Sequence, residues 1–589
     1  MSTTAAPAAP AEKKLTHNEE IKLAIPTLAG TIGATLNAAK ADPSIDRFSE
    51  DDQQFMKFHG IYQQDDRDLR KTGKKYMFMI RGRIPGGVLT ADGYLTYDRL
   101  ATNYGNNTLR ITTRQSFQFH GVVMSGLGPL MKQINEAMMD TVAACGDVNR
   151  NVLAPPAPPT DIYTKLLHDD ARRVSEALKP QTAAYHSIWV EGVQLNLEDQ
   201  ENKEFVDPLY GKTYLPRKFK TAFAIAPVND VDILTNCLGF VAIPGTDGKI
   251  SGYNVLAGGG MGRSHGNAQT YPRLADTVAF AKPDQIIDVA RAVLTVHRDF
   301  GDRTDRKHAR LKYVLEEKGV AWFRAEVEQR LGYKLEDARP VEFKTQKDPF
   351  GWHQTTDGTW FLGLFVMSGR VKDEGDYRLK TALRTVVEKY RPEVRLTPTQ
   401  NILLCHISEA QKDEITKVLA EHGVPVENQA TVLRRASMAC PALPTCGLSL
   451  AESERYIPAL LDRIETALTE VGLQDEEITI RMTGCPNGCA RPYAAEIGFV
   501  GKAPGRYQLW LGGNESSTRI NRIYKDVVKD ADMITELKPL FQRWKDDRIG
   551  TERFGDWAAR VIWPEVEAAA AAAAAAKPAA APAPAVAVA

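Results

Sequence analysis

The chain has no run of ~18 strongly apolar residues among its 589 positions, so a membrane-spanning helix is not expected. It has no excess of either charge: 74 lysines and arginines face 74 aspartates and glutamates. A balanced chain offers no general field to draw in a polyanion such as nucleic acid. The opening Ser2-Thr3-Thr4-Ala5-Ala6-Pro7 lacks the apolar centre of a secretory signal and the arginines of a transit peptide, which points to the cytoplasm. Variety is low at the other end, where Glu567 to Ala589 is mostly Ala and Pro. Alanine buries little area and prolines interrupt a helix, so 567–589 is expected to be a disordered or partly helical tail outside the fold.

Cysteine is scarce, seven in all, yet four of the seven sit in two close pairs. Cys440 and Cys446 flank Pro-Ala-Leu-Pro-Thr, and Cys485 and Cys489 flank Pro-Asn-Gly. Proline and Asn-Gly inside the pairs favour tight loops over helix or strand, so the sulfurs can converge on one object. Three objects are open. Structural zinc prefers pairs two to four residues apart, which the five-residue spacer fits poorly. An iron–sulfur cluster takes thiolates at looser spacings. Disulfides need an oxidising compartment. Cys145, Cys237 and Cys405 have no partner spacing and read as small buried hydrophobes.

The chain also repeats itself. Leu109-Arg110-Ile111-Thr112 resembles Val394-Arg395-Leu396-Thr397, an offset of 395 − 110 = 285, and Gly82-Arg83-Ile84 resembles Gly369-Arg370-Val371 at 369 − 82 = 287. Such self-similarity implies a duplicated unit, each half a small α+β lobe followed by a larger α/β lobe. In the first small lobe, Met77 to Ile80 is an apolar run and Pro85-Gly86-Gly87 breaks it. Tyr94 to Tyr104 then has helical spacing, and Leu109 to His120 is β-rich. The halves differ in one respect. Ala154-Pro155-Pro156 stands where the second half has Ala439-Cys440-Pro441, so only the second half carries the paired thiols.

Basic residues gather in the first half: Arg81-Gly82-Arg83, whose arginines strand alternation would put on one face; Arg110 and Arg114, ahead of His120; Asn149-Arg150-Asn151; and Arg217-Lys218-Phe219-Lys220. Each alone is an ordinary solvated face. Together, beside a thiolate centre, they suit a small anion, which needs several fixed cations to offset its desolvation. Gly258-Gly259-Gly260-Met261-Gly262 looks like a dinucleotide loop but has no acidic residue at the expected distance in a clear βαβ setting. Clustered glycines also let backbone lie against a flat ring. Arg303 and Arg306 fall in a charged segment, Asp302 to His308, ahead of an apparent helix.

These motifs resemble one family. Cys440-x5-Cys446 followed by Gly484-Cys485-Pro486-Asn487-Gly488-Cys489 is similar to the signature of the siroheme-containing sulfite and nitrite reductases, and the resemblance runs from about Phe58 to Trp563. It implies an α+β, pseudo-twofold fold with ferredoxin-like repeats at 56–142 and 341–425. A siroheme- and substrate-binding domain is expected at 143–340 and a cluster- and siroheme-ligating domain at 426–566, after a partly disordered N-terminal extension, 1–55. The implied cofactors are siroheme and a 4Fe–4S cluster held by Cys440, Cys446, Cys485 and Cys489, with Cys489 also the axial ligand of the siroheme iron. The resemblance assigns the substrate anion to Arg83, Arg150, Lys218 and Lys220, and the cofactor to Arg114, His120, Arg303, Arg306 and Asn487.

The implied activity is assimilatory reduction of sulfite to sulfide. Nitrite reduction is the rival within the family, and a zinc-clipped binding protein is the rival outside it. No flavin or NADPH site is evident, so an electron-donor partner is expected, either an NADPH-dependent flavoprotein or a ferredoxin. Gly82 departs from the bulkier residue expected there.

Overall fold

Helix Ala91–Tyr104 shows how the small lobes are built. Thr90 caps it by accepting from the Gly93 amide at 3.1 Å, and Tyr94, Tyr97, Leu100 and Ala101 form a buried stripe at helical spacing. The helix packs on a sheet with the strand order Ile61–Asp65, Tyr76–Arg81, Phe117–Val122, Leu109–Ile111 and Arg370–Val371. The last of these strands comes from the second half. The exchange is mutual: the second sheet runs Gly351–Gln354, Trp360–Leu364, Ile402–Ile407, Glu393–Leu396 and then Val88–Leu89 from the first half. One continuous core joins both lobes, from Phe78, Ile80 and Tyr97 to Leu362, Val387 and Val394.

The computed structural model describes residues 14–25, 30–158, 162–181, 188–190, 193–195 and 206–575. Its duplication extends to single hydrogen bonds. Gln115 Nε2 donates to the Ala154 carbonyl at 2.9 Å, and Gln400 Nε2 donates to the Ala439 carbonyl at 2.9 Å; both offsets are 285 (400 − 115 and 439 − 154). Each glutamine clamps the segment that leads into the larger lobe of its own half.

The first larger lobe carries a four-stranded sheet, Asp276–Ala281, Ile250–Ala257, Leu238–Pro244 and Thr221–Ile225. The second carries five strands, Ser437–Ala439, Ile480–Thr483, Ile497–Ala503, Arg506–Leu511 and Arg522–Lys529, with a core of its own. Among the described residues no helix is long and apolar enough to cross a membrane.

Both terminal segments carry helices. Helices His17–Ala24, Ile32–Ala41 and Glu50–Met56 lie within or at the border of the N-terminal extension. The first is docked, with Lys22 buried between Glu19 at 2.5 Å and Asp147 at 3.6 Å; residues 1–13 and 26–29 lie outside the described residues. At the other end, helix Trp563–Ala575 continues into the alanine run, because alanine is the strongest helix former and the next proline is Pro578. Residues 576–589 lie outside the described residues.

Candidate active site

The parallel strands Ser437–Ala439 and Ile480–Thr483 each end where a cysteine loop begins. Cys440 N donates to the Met482 carbonyl at 3.2 Å, and Cys440 Sγ accepts from Gly484 N at 3.4 Å. Leu450 and Ala451 amides both donate to the Gly484 carbonyl, at 2.8 and 3.0 Å, which ties the two loops together. A Cβ at Gly484 would strike Ala451 O and Ala442 Cβ, so only glycine permits this approach. Asn487 Nδ2 donates to Cys485 Sγ at 3.4 Å. The four thiols are free. Burial, then the neighbouring thiols, push Cys440 well above the ordinary range and Cys485 to about 12. Such a set gives up its protons when a cationic centre takes their place.

The basic pocket is made by parity. Segment 217–221 runs parallel to 148–153, with Phe219 N donating to Val148 O at 3.0 Å and Arg150 N to Phe219 O at 3.0 Å. Phe219 is buried and stacks on His297 with ring centroids 5.9 Å apart. In an extended segment its neighbours Lys218 and Lys220 then point the other way. The Asn-Arg-Asn motif works likewise. Asn149 Oδ1 accepts from Thr221 Oγ1 at 2.8 Å, Asn151 exchanges hydrogen bonds with Ile84 N and O at 3.0 and 2.6 Å, and Arg150 is left to face the pocket.

Burial, then Arg150, Arg217 and Arg310, hold Lys218 well below the lysine range; burial, then Arg114, Lys218 and Arg310, do the same for Lys220. The principal carboxylate among them is Asp147. It accepts from Arg306 Nη1 and Nη2 at 2.9 and 3.0 Å, and although burial opposes it, Arg306 and Lys22 hold it below the ordinary range. A cavity of about 240 Å³ opens here, lined by Lys218, Arg306, Arg310, Gly262 and Asn487 among others.

The glycine run meets the cysteine loop at this point. Arg263 N donates to Pro486 O at 2.9 Å, and Lys312 Nζ holds the Gly260 and Gly262 carbonyls at 3.2 and 2.9 Å. A Cβ at Gly260 would lie 2.6 Å from Arg310 Nη1, so glycine lets that guanidinium approach. Strand Ile250–Ala257 passes through this loop to strand Asp276–Ala281 with no helix between, which removes the dinucleotide reading. A larger cleft of about 550 Å³, lined by His168, Asp169, Arg395 and His406 among others, lies elsewhere. It has mixed charges and no cysteine, so size does not select the site.

The nitrite and sulphite reductase 4Fe-4S domain matches residues 170–335 and 433–575, and the nitrite/sulfite reductase ferredoxin-like half domain matches 70–137 and 353–422. The chain belongs to the nitrite and sulfite reductase family. It is 48% identical over 557 residues to the sulfite reductase [NADPH] hemoprotein beta-component of Methylobacterium nodulans, covering 93% of this chain and 90% of that one. It is 44% identical over 555 residues to the protein of the same name from Staphylococcus haemolyticus, covering 93% and 95%. The NirA protein of Mycobacterium tuberculosis superposes with a TM-score of 0.74 at 25% identity, covering 93% of this chain and 96% of that one.

The family's cofactors are siroheme and a 4Fe–4S cluster, and the residues present fit both. The second 4Fe-4S domain match contains all four paired cysteines, which closes the zinc and disulfide alternatives. Siroheme is a polyanion. The excess of buried cations, which depress one another's proton affinity at Lys218, Lys220 and Arg217, is the charge such a macrocycle would neutralise.

Within this family frame, Arg150 and Lys220 gather around Lys218, and Lys218 and Arg306 share a cavity with Asn487 of the cysteine loop. Arg83 does not join them. Strand Tyr76–Arg81 ends before Gly82, alternation stops, and Arg83 Nη2 donates to Ser175 O and Oγ at 2.6 and 2.7 Å. Arg81 faces the pocket instead: its Nη1 donates to Cys145 Sγ at 3.0 Å, and Gln118, with its amide oriented to suit, accepts from its Nε at 3.0 Å. Arg303 is turned away too, paired with Glu19 and donating to Tyr214 O at 2.7 Å. Arg114 borders the pocket but is committed to the Asn151 and Thr221 carbonyls and to Asn236 Oδ1 at 2.9 Å. His120 is buried near Arg370, Glu454 and Arg110, and burial, then Arg370, hold it neutral.

Sequence reasoning placed Arg81 in a basic cluster without giving it a role of its own, and it missed Arg310 and Lys312. The last two follow the Arg303–Arg306 segment by only a few positions, so extending that segment would have found them. The departure at Gly82 is also explained: the Tyr97 hydroxyl occupies the place of a Cβ there.

Proposed function

We propose that this chain reduces sulfite to sulfide by six electrons, drawing on siroheme and a 4Fe–4S cluster. The observation that carries the reading is the gathering of Arg150 and Lys220 around Lys218, which shares a cavity with Asn487 of the cysteine loop and lies within electrostatic reach of Cys489. When bound, siroheme beside the cluster supplies single electrons and an iron face on which an anion can sit. The protein's own residues do the rest.

Arg150 donates from Nε and Nη2 to the Gly146 carbonyl at 3.3 and 3.2 Å, which fixes its guanidinium. Although burial opposes it, Tyr62 and Cys145 sustain its charge. It therefore holds a sulfite oxygen and does not release a proton. Arg81 takes the second such place, in the position expected of Arg83. Lys218 and Lys220, held below the ordinary range, donate from Nζ to the departing oxygens, which leave as water. Both lysines would regain part of their proton affinity beside an anionic macrocycle, which would leave them poised between holding and giving a proton.

The relatives' description as a beta-component of an NADPH enzyme supports a separate NADPH-dependent flavoprotein as electron donor. A cytoplasmic location would keep the cysteines reduced. Turnover of sulfite and of nitrite by the purified, cofactor-loaded chain with a reduced viologen dye tests the reading. Sulfite should be the better substrate, and a strong preference for nitrite would defeat the proposal.

A further inference from the structure

The cluster ligands differ in their access to solvent. Cys440 and Cys485 are buried, Cys489 is exposed beside the basic pocket, and Cys446 is half-buried on a loop that also reaches the surface. Beside it Gly447 and Leu448 are exposed, Leu448 by 68%. A second segment is locked over this loop: Arg67 N donates to Pro444 O at 3.2 Å, and Arg67 Nη1 donates to the Ser449 carbonyl. Its turn Asp68–Thr72 exposes Leu69 by 41%.

Single exposed leucines are commonplace. Here two of them lie on joined segments beside the half-buried Cys446, away from the basic substrate pocket that Cys489 adjoins, and their border is basic. Asp65 is paired with Arg70 at 2.5 Å, and Asp68 and Glu452 with Arg455 at 2.7 and 2.6 Å. Lys71, Lys74 and Lys75 are exposed and have no ion-pair partner among the described residues. An apolar centre with a charged rim is the anatomy of a protein interface, and redox encounters bury the smallest areas of any specific interface.

Resting on the sulfite reductase reading above, we propose that this face receives the flavin-bearing electron donor, which presents carboxylates around its flavin edge to Lys71, Lys74 and Lys75. One electron passes from the reduced flavin to the oxidised cluster by way of the Cys446 loop; no bond forms or breaks at the face. The basic rim gathers and orients the donor, and the leucines fill the centre of the contact.

The test uses the cofactor-loaded chain, NADPH and a purified sulfite reductase flavoprotein. Two variants are compared with the unaltered chain: Leu448→Glu, and Lys71→Glu, Lys74→Glu and Lys75→Glu combined. The triple variant should bind the flavoprotein about tenfold more weakly by calorimetry at low salt, with the difference shrinking as salt rises. NADPH-driven turnover should fall with it, while the visible spectrum and dye-driven turnover stay unchanged.

Flavoprotein affinity unchanged in the triple variant would overturn the proposal. So would weakened binding of a reduced plant-type ferredoxin with none for the flavoprotein. If Leu448→Glu disturbs the cluster spectrum, the lysine variant decides alone. If the unaltered chain cannot reduce sulfite with dye, the functional reading fails, and the affinity measurement still reports on the docking face.

Discussion

Thr113 donates its hydroxyl to the Cys489 carbonyl at 3.0 Å, across 376 positions of chain. Arg491 closes the link from the other side, donating from Nη1 to the Thr113 carbonyl at 3.1 Å. The Thr112–Gln115 loop of the first half thus fixes the backbone of the cysteine proposed to serve both metal centres.

Replacing that ligand should remove both centres. Cys489→Ser is expected to yield protein without siroheme bands and with little iron, measured by visible absorption and metal analysis. Normal activity in this variant would contradict the ligand assignment.

Arg81 and Arg83 should separate cleanly. Arg81→Gln is expected to raise KM for sulfite by about ten- to hundredfold, the range for a lost charged hydrogen bond, with little change in Tm. Arg83→Gln removes a donor from the buried Ser175 carbonyl and should cost about 1–3 kcal/mol of stability while KM holds. The opposite pattern would restore Arg83 to the pocket.

Lys218→Met should lower kcat about a hundredfold, as expected of a lost proton donor, with siroheme content retained. Activity of the unaltered enzyme should fall as pH rises through the pKa of this lysine, which burial and Arg150 place below the usual range. Siroheme loss as the main effect would instead make Lys218 a cofactor ligand.

Gly82→Ala forces a methyl group against Tyr97, whose buried hydroxyl has no hydrogen-bond partner among the described residues. Tm should drop, and Tyr97→Phe should recover part of the loss. Part of the strain remains because Cζ would still be 2.8 Å from the new carbon. Simple additivity of the two effects would show that they do not meet.

Asp230 is buried, and burial, then Asp348, push its carboxyl from the ordinary 3.8 up to about 8. A group whose folded pKa is raised contributes stability below its unfolded pKa and loses it as pH rises through the folded one. The unaltered protein should therefore lose stability between about pH 4 and pH 8 relative to Asp230→Asn, in thermal melts across that range. Parallel profiles for the two proteins would remove Asp230 from the account.

What was legible in the sequence was what spacing and parity fix. The cysteine pairs, Asn149-Arg150-Asn151 and Lys218-Phe219-Lys220 each place side chains by local geometry, and the 285-residue offset announced the duplication. Arg83 was misplaced because alternation holds only while a strand lasts, and Tyr76–Arg81 ends one residue before Gly82. Arg303 was misplaced because its partner Glu19 lies 284 residues away, and no local pattern can reveal such a pairing. The helical start of the alanine tail was readable from propensity alone.

The traded strands Arg370–Val371 and Val88–Leu89 make the two repeats inseparable. Cut between them, each piece would present a bare sheet edge where its sibling's strand had lain, an invitation to clump. The ancestral doubling can therefore no longer be undone by dividing the gene: what began as two copies has become one indivisible body.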